Sequence, residues 1–112
     1  MPAAFSPFSI GEGVTMSTLT ESQSRFALGQ VVATPGALSA LLSANQTPFE
    51  FLARHVAGDW GELEPHDVQE NEAALERGGR LLSRYQTTQG VVIWIITEWD
   101  RSATTLLLPA EY

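Results

Sequence analysis

The chain has no cysteine and no lysine. Without thiols it forms no disulfide, no thiolate metal site and no cysteine nucleophile, and nothing in it favours an oxidising compartment. Without lysine, its positive charge rests on six arginines against thirteen acids, a formal charge of −7 at pH 7. That balance argues against direct nucleic-acid binding, which needs a basic footprint to neutralise phosphates. It suits a basic partner, or solubility alone. Long apolar runs are missing too. The longest, Val91 to Ile96, falls far short of the roughly 20 residues that cross a bilayer. The N-terminus also lacks the basic and apolar blocks of a signal peptide. These absences predict a cytoplasmic protein with no membrane contact. No Gly-rich phosphate loop, G-x-S-x-G elbow or H-E-x-x-H run occurs, so no motif names a reaction and no cofactor is implied.

What is present fits one core. A chain of 112 residues, 44% of them hydrophobic, is long enough for a single domain and too short for two. Residues 1–24 are rich in Ser, Thr, Pro and Gly and follow no period, which predicts a disordered tail. Met16 lies inside this stretch, so translation can start there as well as at Met1. Residues 25–112 are expected to form one α+β domain, with three short helices followed by an antiparallel three-stranded β-meander and an N-terminal edge strand within Phe26 to Ala33.

The helix starts are written in capping chemistry. Thr34-Pro35 reads as an N-cap followed by proline at the first helical position, where its missing N–H costs nothing. Ala37, Leu38, Leu41 and Leu42 follow at helical spacing, and Asn45 is a stop. Thr47-Pro48-Phe49-Glu50 repeats the device with a capping-box glutamate. An apolar stripe of Phe49, Leu52, Ala53 and Val56 runs to Gly58. Glu64-Pro65 opens a third helix with Val68, Ala74 and Leu75 inward and Asp67, Glu70, Glu72 and Glu76 outward; Arg77 and Gly78-Gly79 close it. Strands over Arg80 to Gln86, Val91 to Glu98 and Thr104 to Leu108 follow, joined by turns at Thr87 to Gly90 and Asp100 to Ser102. The middle strand is apolar on both faces, which predicts a central position with cover on each side.

Three places carry chemistry. Arg54 to Leu63 crowds His55, Asp59 and Trp60 around two glycines. One reading makes His55 and Asp59 an acid–base pair beside a stacking indole. The other makes Gly58 a helix cap, Gly61 a tight turn and Trp60 an anchor. His66 adds a second imidazole but no third ligand in register, so no metal site is expected. Second, Asp59, Glu62, Glu64, Asp67, Glu70, Glu72 and Glu76 form an acidic stretch with no arginine inside it. It is either a solvated helix face or an anionic surface able to occupy a basic groove. Third, Trp99, Asp100 and Arg101 sit on a hairpin end that either packs or binds.

Several segments together resemble a family of short proteins carried on plasmids and integrative elements of proteobacteria. They are Gly29 to Leu38, Gly58-Asp59-Trp60-Gly61, Asn71-Glu72, Ile93 to Glu98 and Leu106 to Pro109. Such proteins go under descriptions like "plasmid-related protein" or "type I restriction endonuclease subunit M"; the second is misapplied, since a methyltransferase subunit needs a cofactor domain several times this size. The resemblance covers Phe26 to Tyr112 and implies a mobile-element context without a catalytic residue or cofactor. It implies an accessory or anti-defence factor, of the anti-restriction or anti-CRISPR type.

The reading that follows is a non-enzymatic binding protein that engages a protein partner, such as a host defence or nucleic-acid-processing enzyme, through Asp59, Trp60, Glu62, Glu64, Asp67, Glu70 and Glu72. The alternative is a small hydrolase or toxin-like enzyme with His55, Asp59 and a meander residue such as Glu98 converging in a pocket. A third reading is a homodimer paired through an exposed strand edge, at Gln30 to Thr34 or Thr104 to Leu108.

Overall fold

Each helix begins at a proline preceded by an extended residue. The computed structural model describes residues 24–112; the tail expected over 1–24 and the start at Met16 lie outside them, Ser24 excepted. The chain runs β1 (Gln30–Ala33), α1 (Pro35–Ser43), α2 (Pro48–Val56), α3 (Pro65–Arg77), β2 (Leu81–Gln86), β3 (Val92–Thr97), β4 (Ala103–Leu107) and a 3-10 turn at Pro109–Glu111. The Thr34 hydroxyl accepts from the Ala37 amide at 3.1 Å, and the Glu50 carboxylate reaches back to the Thr47 amide at 3.2 Å. Both caps satisfy amides that a helix start leaves orphaned.

Helices α1 and α2 end in the same way. Asn45 (φ +56°) and Gly58 (φ +87°) take the left-handed conformation. The next amides, of Gln46 and Asp59, donate back to Leu41 and Arg54 at 2.9 Å each, and those of Asn45 and Gly58 donate to Leu42 and His55 at 3.0 Å each. This is the paired 6→1 and 5→2 pattern of a Schellman stop.

The fold is α+β with a mixed four-stranded sheet in the order β1-β4-β3-β2. β2, β3 and β4 form the antiparallel meander. The expected edge strand is β1, which joins the meander as a fourth strand, parallel to β4, with Val31 beside Thr104 and Ala33 beside Leu106. The edge strand is shorter than Phe26 to Ala33. Gly29 turns through φ +67° with its backbone against the Arg101 and Ser102 carbonyls, and this close approach breaks the strand.

The core lies on one face of the sheet. Ala37 and Leu41 of α1 and Phe51 and Leu52 of α2 pack on Tyr85, Ile93, Ile95 and Leu106. Trp60 and Ala74 pack on Leu81, with Phe26, Leu63, Val68 and Leu75 around them. Of the four apolar residues at helical spacing in α1, Leu38 and Leu42 are exposed, because the sheet meets the Ala37–Leu41 side. The helices cover one face of β3, and on the other face, where no helix among the described residues lies, Ile96 is nonetheless buried. There the C-terminal turn folds back, Tyr112 meeting Trp94 edge-on at 5.8 Å while Arg80 donates to the Tyr112 hydroxyl at 2.7 Å. No helix of the described residues is long and apolar enough to cross a membrane.

Candidate functional site

His55 sits one turn after Phe51 on the buried side of α2 and is sealed from solvent. Its ring faces one hydroxyl from each of two meander strands: Nδ1 is 2.6 Å from Ser83 of β2, and Nε2 is 2.9 Å from Thr97 of β3. Thr97 lies 2.7 Å from Thr104 of β4, whose hydroxyl reaches the Leu28 carbonyl at 2.7 Å. A carbonyl can only accept, so the Thr104 proton points to Leu28. Thr97 must then donate to Thr104, which leaves His55 Nε2–H as the donor to Thr97 and Nδ1 as the acceptor from Ser83. The donor–acceptor chain thus fixes the tautomer. Burial pushes the imidazole down to about 3, and the Arg101 charge adds to the effect. The ring is neutral, and both nitrogens are occupied.

Asp59 is turned elsewhere. The Schellman stop at Gly58 places it over the end of α2, where Arg54 Nε donates to its carboxylate at 2.7 Å, and the carboxylate also accepts from the Gly61 amide at 3.2 Å. The Arg54 hydrogen bond is the main cause holding this carboxyl below its ordinary value. Arg54 in turn lies 4.5 Å over the Tyr85 ring, and the Tyr85 hydroxyl donates to the Asp59 carbonyl at 2.6 Å. Burial pushes that hydroxyl up. No hydrogen bond joins His55 to Asp59. Glu98, the third member of the hydrolase reading, faces Arg80 at 4.0 Å. The convergence which that reading requires is not met: a sealed imidazole and an arginine-bound carboxylate share no reacting position.

Trp60, expected to meet a partner, is 4% exposed, and this corrects its assignment to a binding surface. Its ring stacks on Phe26 at 6.1 Å, and its indole N–H donates to Glu72 at 3.0 Å. Glu72 is held by two bonds from Arg25, at 3.0 and 3.2 Å; the Arg25 hydrogen bond and then the Trp60 one keep its carboxyl below the ordinary range. Glu62 accepts from Arg84 at 3.0 Å and from Gln86 at 3.2 Å. Of the acids expected to face a partner, Asp59, Glu62 and Glu72 therefore carry structural ion pairs. Glu64, Asp67 and Glu70 are exposed along the first half of α3 with no arginine partner among the described residues, and Glu70 lies 3.9 Å from His66.

The exposed indole is Trp99, at 68%. It tops the β3–β4 hairpin, which Arg101 (φ +61°) ties down by donating to the carbonyls of Glu98, Trp99, Gly79 and Ala74. Trp60, Trp94 and Trp99 thus occupy three separate settings: the core beside α3, the helix-free sheet face, and solvent.

The hydroxyls around His55 belong to no motif and were not among the expected site residues. Ser83, Thr97 and Thr104 all sit at the inward parity of their strands, with Leu81 and Tyr85, Ile93 and Ile95, and Leu106 respectively. That alternation is the signal that could have found them. No group of three or more potential metal ligands lies among the described residues. Compared with known protein families, with curated proteins and with solved structures, the chain matches none.

Proposed function

We propose that this chain is a non-enzymatic binding protein that engages a protein partner with a basic site. The observation that carries the reading is the division among its acids: Asp59, Glu62 and Glu72 are neutralised by arginines, whereas Glu64, Asp67 and Glu70 stand exposed on one helix without such a partner. Carboxylates without an arginine partner on a rigid helix attract a basic groove and steer its approach. The resemblance to proteins of plasmids and integrative elements favours a host defence or nucleic-acid-processing enzyme as the partner, and an inhibitory, anti-defence role.

The full chain, immobilised and exposed to host lysate, should retain such an enzyme and release it as salt rises, because screening weakens exposed charge pairs. A variant carrying Glu64→Gln, Asp67→Gln and Glu70→Gln should lose it. Glu72 is left unchanged there, since its replacement disturbs Arg25 and Trp60. Retention indifferent both to salt and to these substitutions would remove the acidic surface from the mechanism.

A further inference from the structure

We propose that the chain pairs with a second copy of itself through the free edge of β1, in a two-fold antiparallel arrangement centred on Val32.

The two edges of the sheet are treated differently. Along β2 the Asn71 carboxamide occupies the Leu82 amide and carbonyl, and the loop at Trp60 and Glu62 occupies those of Arg84. Thr104 to Leu108 is no candidate edge, because β4 is paired on both sides. β1 has neither cover. The Gln30 and Thr34 amides donate to Ser102 and Leu106, so alternation turns the N–H and C=O of Val31 and Ala33 away from the sheet. No partner for them occurs among the described residues. Val31 and Val32 are 39% and 42% exposed. The strand is short, but it carries no charge, no proline and no bulge to blunt its edge.

Charge selects the occupant. In a chain of net −7, the segment from Phe26 to Phe49 contains no charged residue. Two copies can approach there with little like-charge repulsion, whereas a basic partner is drawn to the acids of α3. The carboxylate of Glu111, next to this unit, is already held by Thr34, Gly36 and Leu108.

The register follows from the outward groups. Val31 of one copy opposes Ala33 of the other, and the reverse, giving four hydrogen bonds. Val32 then faces its own counterpart across the axis as a non-hydrogen-bonded pair, the closer kind in an antiparallel ladder. A strand of four residues makes a small interface, of the weak and concentration-dependent kind.

The chain lacks cysteine, so Val32→Cys creates a single thiol at the axis. Under mild oxidation by glutathione disulfide at low protein concentration, it should crosslink into dimers about ten-fold faster than Leu42→Cys, a control on an exposed apolar side chain, because only opposed strand positions bring Cβ atoms within disulfide reach. In the unmodified full chain, sedimentation should show the mass rising from 12.2 kDa towards twice that value as concentration increases. The Val31 and Ala33 amides should gain exchange protection over the same range. Val32→Lys, which sets two ammonium groups face to face, should leave a folded monomer. Equal crosslinking of the two cysteine variants, or a strict monomer at about 1 mM whose Val31 and Ala33 amides exchange at a concentration-independent rate, overturns the proposal.

Discussion

Asn71 holds the backbone of Leu82 as a neighbouring strand would: its carboxamide donates to the Leu82 carbonyl at 2.7 Å and accepts from the Leu82 amide at 3.1 Å. One side chain of α3 thereby anchors the helix to the sheet and closes part of the β2 edge. Asn71→Ala leaves both backbone groups without their partner in a part-buried setting, and each such group costs about 1–3 kcal/mol. Urea unfolding should show a loss of roughly 2–4 kcal/mol. Asn71→Asp keeps the acceptor but sets a carboxylate oxygen against the Leu82 carbonyl, so it should be at least as damaging. Recovery of wild-type stability by the aspartate would mean that the amide-to-carbonyl bond is dispensable.

A second closure of the same edge depends on Gly61. It forms a bridge with Arg84, takes φ +76°, and its position leaves no room for a β-carbon, which would run into the Arg84 carbonyl and the Tyr85 ring. Gly90 has a similar φ of +82° but open space where a β-carbon would stand. Both alanine variants carry the left-handed penalty of about 1–2 kcal/mol. Only Gly61→Ala must also displace the loop, so it should unfold at clearly lower urea than Gly90→Ala. Equal midpoints would show that the loop yields without cost.

The contrast between these elements explains what was legible in the sequence. The Thr-Pro starts and the stops at Asn45 and Gly58 are local chemistry, readable from adjacent residues, and the helices appear where those signals stand. The Gly58 cap and the buried Trp60 were likewise one of the two readings of Arg54 to Leu63. The parallel pairing of β1 with β4 was not legible, because it joins residues more than seventy positions apart, and no periodicity specifies a partner. The division of the acids was hidden for the same reason. Arg25 finds Glu72 and Arg84 finds Glu62 across the fold, so identical carboxylates in one acidic stretch take structural or solvent-facing roles according to which arginine arrives.

The sealed imidazole makes stability depend on pH in a predictable window. An unfolded chain protonates His55 near 6.5, whereas the folded one resists to about 3. The folded-state value is depressed, so the unfolded state binds the extra proton as pH falls below 6.5, and stability declines from there towards pH 3. Between pH 7 and 5.5, above the range where most carboxylates titrate, the loss should be roughly 1 kcal/mol. Hydrogen bonds at Asp59, Glu72 and Glu111 hold those carboxyls below their ordinary values, and their contributions are lost only at lower pH. His55→Gln, which keeps a donor and an acceptor but does not titrate, should be less stable at pH 7 and nearly flat over that window. Urea midpoints measured at half-unit steps separate the cases. A wild type as flat as the variant would mean that His55 is not the proton-linked group, and that the hydroxyls of Ser83 and Thr97 accommodate an imidazolium.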